Sequence, residues 1–408
     1  MPHRALEGVK ILDMSRVLAA PLATQLLADL GADVVKIERP GLGDESRRYG
    51  PPFVKDKDGR DTDIAAFYMS CNRNKRSVTV AFDKPEGQEI IRRLAAQSDV
   101  FVENFKTGTL QRYGLGYEQL AEINPKLIYC SITGYGQTGP LATKPGYDGV
   151  FQAMSGMMNV SGHPDGDPGG GPMKVGISMI DILTSLYAAN AVQAALYNRD
   201  ASGGGGQHID ISLLDCGFAS LSHFAHSYFA SGEVPERRGN GGFGGVPSQA
   251  FQCADRSIFL VAGNDDQFRR LCRAIGRTDI SDDTRFSGAS GRIVNRKKLL
   301  PLLQETFLTR TRDEWLAVLD DAGIPNGGVN DIEEAIAEPQ IIHREMVRQI
   351  EDPVSGRTNI LANPIRLSET PVNTYNAPPL LGEHVREVLS ALGYSDEAIH
   401  DFKSRGVV

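Results

Sequence analysis

The sequence predicts an α/β protein in which a large domain built on a parallel sheet is joined by a smaller α+β domain. Three observations lead there. Strand-like and amphipathic helix-like segments alternate through the first third of the 408 residues. Glycine-rich stretches then break that rhythm, and beyond residue 225 one strand is followed by a run of helices. A chain of this length ordinarily divides into two domains and buries a substantial core without staples.

Residues 9–14 (VKILDM) read as a buried strand. Residues 18–30 carry apolar groups at helical spacing, and Gly31 ends them as a C-cap. Residues 33–38 (DVVKIE) form a second strand. Strand 77–82, helix 85–97 with Pro85 in its first turn, strand 100–105, helix 118–123 and strand 127–133 follow. The loop HPDGDPGGGP at 163–172 and the four glycines at 203–206 bracket a long apolar helix at 179–196. After strand 207–214 comes a second glycine cluster at 239–245, then strand 257–263 and helices 266–275, 292–308 and 312–322. Strand-like 359–361 and 378–384 precede a helix at 385–392. Residues 1–200 thus make the first part of the large domain, 201–224 a linker, 225–325 the small domain, and 326–408 a second linker with the C-terminal segment.

The formal net charge of −8 provides no global basic field, so neither nucleic acid nor an anionic membrane surface is an expected partner. The opening MPHRALEGVKILDMSRV lacks the apolar core and cleavage site of a secretory signal, and no uninterrupted apolar run reaches the roughly 20 residues of a membrane span. Five scattered cysteines without a CxxC pair fit reduced thiols of a cytoplasmic compartment. The histidines show no HExxH or other metal spacing, so no metal is expected, and no GxSxG elbow indicates a hydrolase.

Three places suit chemistry. The first strand–turn–helix–strand unit is where a dinucleotide would bind, with Glu38 ending the second strand, but its turn MSRVLAAP has no GxGxxG. Arg39 beside Glu38 suits a phosphorylated ribose such as that of coenzyme A, against the alternative of a surface Lys36/Glu38/Arg39 group. Asn104, Phe105 and Arg112 follow a strand end, where open sheets bind ligands. They offer an amide, a stacking face and a cation, against the alternative of a helix cap and a solvated arginine. Asp181 stands among apolar neighbours near the start of the long helix. A carboxylate there is costly to bury unless satisfied or functional, and the helix N-terminus would keep it ionised for use as a nucleophile. The alternative is an ordinary N-terminal cap.

Taken in order, LEGVKILDMSRVLAAPLATQLLADLGADVVKIERPGLGD, NRNKRSV, VFVENFKTGTLQRYGLGY, YCSITGYGQTGP, GYDGVFQAMSG, GISMIDILTSLYAANAVQAAL and PPLLGEH closely resemble the family III CoA-transferases, from about Leu6 to Val408. The resemblance implies a Rossmann-like large domain completed by the C-terminal segment, and two ring-shaped chains interlocked as a homodimer. It places the catalytic aspartate on Asp181 and the coenzyme A site on Val17, Ala19, Arg39, Val80, Asn104, Phe105 and Arg112. Asn104 and Phe105 would meet pantetheine or adenine, and Arg39 and Arg112 the phosphates. The implied substrates are an acyl-CoA thioester and a carboxylic acid, with no tightly bound cofactor.

Gly242, Gly244 and Gly245 match in position the mobile glycine loop of formyl-CoA transferase, with Phe243 interrupting the run. Leu18 and Pro145 depart from the formyl-transferring enzymes. RRYGPPF, YCSITGYGQTGP and AEPQ are closer to the succinate–hydroxymethylglutarate type, which implies a dicarboxylic acid such as succinate. The α-methylacyl-CoA racemases share the fold and use a histidine before the aspartate of a GHD motif. Here that stretch is Gly146-Tyr147-Asp148, and tyrosine cannot replace a neutral-pH base, so transfer is favoured. A non-catalytic coenzyme A-binding protein would keep Arg39, Asn104 and Arg112 without using Asp181.

Overall fold

The structure, a computed structural model, describes residues 3–242 and 244–408. Two compact units emerge. One comprises residues up to Met157, Val175–Ala225 and Ile342–Val408, and the other Met158–Lys174 and His226–Ile341. The second unit therefore recruits a segment well before residue 225 and extends past 325. The Gly-rich 163–172 loop explains the recruitment, since the Gly239 N–H donates to the Gly162 carbonyl and Arg237 to the His163 carbonyl.

The large unit is built on a six-stranded sheet: β1 (Lys10–Asp13), β2 (Asp33–Glu38), β3 (Lys75–Thr79), β4 (Val100–Glu103), β5 (Ile128–Thr133) and β6 (His208–Ser212). All pairings are parallel, and the spatial order is β3-β2-β1-β4-β5-β6. This is the doubly wound order, in which the sequence progression of the strands reverses between β1 and β4 and leaves a crevice at their carboxyl ends. Alternating side chains feed two cores. Leu12, Val35 and Phe101 enter one with Leu389 and Val407 of the C-terminal segment. Ile11, Val34 and Val102 enter the other, under α1 (Ala19–Asp29).

Helices α2 (Pro85–Ala95), α3 (Tyr117–Ile123), α4 (Asp148–Met154), α5 (Met179–Ala201) and α6 (Leu213–Ala219) complete the elements used below. By length and composition α5 could cross a bilayer, but Ala188, Val192 and Leu196 are buried in the sheet's second core. It is a core helix of this fold.

Residues 378–384, read as strand-like, are not a strand. They form an extended approach and a turn, in which Gly382 and His384 donate to the Ser77 hydroxyl and carbonyl. Helix 292–308 is two helices, Ala289–Val294 and Arg296–Phe307, interrupted at Asn295.

The small unit carries an antiparallel sheet of β7 (Ser248–Gln252), β8 (Ser257–Val261) and β9 (Asn326–Gly328), ordered β9-β8-β7. Phe251, Leu260, Phe268, Phe307 and Trp315 fill its core. All five cysteines are free and buried, and burial pushes each thiol above its ordinary pKa.

Candidate active site

The turn Ser15–Arg16–Val17 leaves β1 at the crevice and is held by polar contacts, with no glycine among its residues. Asn104, just beyond β4, clamps it: its Oδ1 accepts the Arg16 N–H at 2.9 Å and its Nδ2 donates to the Arg16 carbonyl at 2.7 Å. Val17 sits at φ 71°, a conformation costly for a β-branched residue. The Asp44 carboxylate compensates by accepting the Val17 N–H at 3.1 Å. Asp44 also pairs with the buried Lys36 at 2.9 Å, and Lys36 donates to the Ser15 carbonyl at 2.7 Å. Burial, the largest single influence, opposes the charge on Asp44, but Lys36 and the hydrogen bonds from Ser46 together outweigh it and bring the carboxyl down to about 2.

This network corrects the reading of Glu38 and Lys36 as ribose ligand or surface group. Both are buried, and Glu38 is already engaged by Arg47, Ser77 and the Asp44 N–H. Both Asn104 amide groups are likewise engaged, so it enters the site as the brace of the Arg16 turn.

Two cavities meet there. One, of about 260 Å³, is lined by Met14, Arg39, Val80, Phe82 and Tyr113 among others. The other, of about 320 Å³, brings together Val17, Ala19, Asn104, Tyr147 and Asp181. Arg16, Glu45 and Phe105 line both. The Phe105 ring meets Phe82 edge-on at 5.2 Å and carries the Arg16 guanidinium 4.7 Å from its centroid, and the Phe105 backbone N–H donates to Glu103 at 2.7 Å. Burial pushes that Glu103 carboxyl up to about 7. Arg39 is exposed at the rim of the first cavity, whereas Arg112 is exposed and lines neither.

Asp181 occupies the third position of α5 but does not cap it. Asp148, the first residue of α4, does so from 32 positions upstream: its Oδ1 accepts the Ile180 N–H at 2.7 Å and the Asp181 N–H at 3.3 Å. Its Oδ2 accepts from Gln152 at 2.6 Å. The expectation that the helix start keeps Asp181 ionised is therefore corrected. Burial first and the neighbouring Asp148 charge second push the Asp181 carboxyl up to about 7. Tyr147 is 70% exposed and borders the same cavity.

Of the glycine loop, Phe243 lies outside the described residues. In the small unit the Gly242 N–H donates to the Ser248 carbonyl at 2.6 Å, and a Cβ on Gly245 would stand 2.5 Å from the Gly263 Cα. Gly244 faces open space. Sequence reasoning missed Arg16, Glu45 and Asp44. Arg16 lies in the glycine-free turn after β1, where its spacing carries no signature of a ligand contact.

Residues 6–385 match the model of CoA-transferase family III. Succinyl-CoA:glutarate CoA-transferase of Homo sapiens is 42% identical over 99% of this chain and 90% of its own length. Succinate–glutarate CoA-transferase of Agrobacterium fabrum is 42% identical over 96% of this chain and 97% of its own. Among solved structures, a CaiB/BaiF family protein from Brucella suis is 41% identical, covers 96% of this chain and 100% of its own, and superposes with a TM-score of 0.85.

Proposed function

Because the chain belongs to CoA-transferase family III, we propose that it moves coenzyme A from succinyl-CoA to a second dicarboxylic acid through a covalent intermediate on Asp181. One observation carries this reading. Among the described residues, Asp181 is the carboxylate of the larger cavity without an ion-pair partner, whereas Glu45 is held by Arg16. Relatives named for succinyl-CoA with glutarate, D-citramalate or mesaconate support the dicarboxylic class, with glutarate the first acceptor to test.

An Asp181 oxygen attacks the thioester carbonyl, the C–S bond breaks, and coenzyme A thiolate leaves a mixed anhydride. The thiolate attacks the aspartyl carbonyl, releasing the donor acid and forming an aspartyl thioester. The acceptor carboxylate displaces the thiolate to form a second anhydride. Thiolate attack on the acceptor acyl carbon then gives the product and returns the Asp181 carboxylate. A desolvated carboxylate with a raised pKa is the more basic nucleophile once ionised, and each activated intermediate requires water to be kept out.

The nucleotide belongs in the smaller cavity, near Arg39 and Val80, with the pantetheine arm passing Phe105 toward Asp181. The family resemblance supports an interlocked homodimer, and the buried thiols suit a reducing cytoplasm.

Incubation with succinyl-CoA and a panel of acids, followed by mass spectrometry of the acyl-CoA products, tests the activity. Hydroxylamine added during turnover should leave a hydroxamate on the peptide containing Asp181. Transfer without that mark would remove the covalent route.

A further inference from the structure

Three cations line the larger cavity, Arg16, Lys106 and Lys144, and they are not equivalent. Both lysines are exposed, and a solvated ammonium on a flexible stem discriminates weakly between ligands. Arg16 is partly buried, laid over the Phe105 ring and tied through Nη1 to Glu45 at 2.6 Å. Its backbone is fixed by the Asn104 clamp. The guanidinium is therefore held in place before any ligand arrives.

The edge it leaves free is informative. Arg47, Arg73, Arg76, Arg277 and Arg386 each grip a carboxylate through the Nε/Nη2 edge. That edge presents two parallel N–H groups to two oxygens. In Arg16 the Nε is buried and has no hydrogen-bond partner among the described residues, and Nη1 alone is paired. Glu45 Oε2 is also buried without a partner, but as an acceptor it calls for a donor and offers an anion nothing, so the anion-binding capacity lies on the arginine alone. Burying such groups unsatisfied is costly, so an edge of this kind marks a place for a bidentate anion.

We infer that Arg16 determines specificity for dicarboxylic substrates, taking through its Nε/Nη2 edge the far carboxylate of the acyl group whose other end reacts at Asp181. The inference rests on the function proposed above. An acid with a single carboxylate would leave this edge without a partner, and discrimination built on an unmet buried donor is strong. Because Arg16 also borders the nucleotide cavity, the competing occupant is a coenzyme A phosphate, and the two assignments separate experimentally.

The test compares glutarate with its monomethyl ester as acceptors, and measures inhibition by free coenzyme A. Arg16→Met should raise the KM for glutarate by about 10- to 100-fold, the effect of losing one charge-assisted contact pair. The monoester's kcat/KM should fall much less than that of glutarate, so that the preference for glutarate over its monoester shrinks by about the same factor, while the inhibition constant of coenzyme A changes less than threefold. Arg16→Lys should recover only part of the glutarate preference, because an ammonium cannot reproduce the two-pronged edge. Should Arg16→Met be poorly folded because Glu45 is left unpaired, Arg16→Met with Glu45→Gln removes both charges and carries the same expectation. Equal losses for both acceptors with weakened coenzyme A inhibition would assign Arg16 to the phosphates and overturn the inference. Unchanged selectivity would overturn it as well. A wild-type enzyme that uses glutarate and its monoester equally would instead overturn the dicarboxylic reading itself, and this inference with it.

Discussion

Asp148 and Asp181 meet at the first turn of α5, where the Asp148 Oδ1 accepts the Asp181 N–H at 3.3 Å and the Ile180 N–H at 2.7 Å. One carboxylate thus takes the helix-capping role that sequence position offers to the other. The second is left facing the cavity, with its proton held more tightly by burial and by its neighbour's charge.

That division sets the pH dependence. If Asp181 must be ionised to attack, kcat/KM rises with pH through about 7. In Asp148→Asn the amide oxygen can still cap the helix, but the repelling charge is gone, so the rising limb should move to lower pH. Burial, the larger cause, remains, so the limb should stay above the ordinary carboxylate range. Asp148→Ala should in addition lower stability by about 1 kcal/mol through the lost cap. Rate profiles from pH 5 to 9, together with thermal melts, check both effects.

Asp181→Asn should reduce transfer by at least about a thousandfold, since a missing nucleophile removes the route and not merely one contact. Its stability should change in the opposite direction. The folded protein raises this carboxyl from 3.8 to about 7 and so binds its proton more tightly than the unfolded chain. The stabilisation is complete below about 4 and is lost as pH rises through about 7. The variant lacks that loss, so it should melt above wild type at pH 8, with the gap closing toward pH 4. Parallel melting curves across this range would refute the raised carboxyl.

Arg39 and Arg112 should behave differently despite their shared charge. Arg39 is an exposed cation on the wall of the smaller cavity and has no ion-pair partner among the described residues. Arg39→Ala should weaken acyl-CoA binding by about 10- to 100-fold with little change in kcat. The matching acyl-pantetheine, which lacks the nucleotide, should show no such loss. Arg112 lines neither cavity, so Arg112→Ala should have the smaller effect in the same kinetic comparison.

Gly245 offers a contrast within the small unit. An added Cβ would stand 2.5 Å from the Gly263 Cα, a backbone contact that cannot swing away, whereas Gly244 has nothing within 4 Å. Gly245→Ala should cost about 1–3 kcal/mol by overpacking, and Gly244→Ala close to nothing. Differential scanning calorimetry of the two variants distinguishes them.

The parallel sheet was legible because its buried strands are short apolar runs separated by helical spacing. Residues 33–38 span β2 without adjustment. The hairpin of Phe53–Lys55 and Asp61–Ala65 escaped notice because DTDIA has weak apolar alternation. The segment 378–384 misled because proline and leucine pack like a strand but turn after a brief contact with β3. At the site, Asp181 could be singled out from its apolar surroundings. Its capping partner could not, since a hydrogen bond across 32 positions leaves no local pattern. Glu38 misled for a related reason: a carboxylate at a strand end looks the same in sequence whether it faces a ribose or Arg47.

The five buried thiols bear on fidelity. The proposed cycle twice sets free a sulfur nucleophile beside an activated acyl group. An accessible cysteine nearby would compete for that group by thioester exchange, or capture the coenzyme A sulfur as a mixed disulfide under oxidation. Here every cysteine is enclosed, and burial holds its thiol in the protonated, unreactive form. In the proposed cycle the protein thereby contributes no bystander thiol, which would leave the acyl group to pass between oxygen and the sulfur of its own carrier.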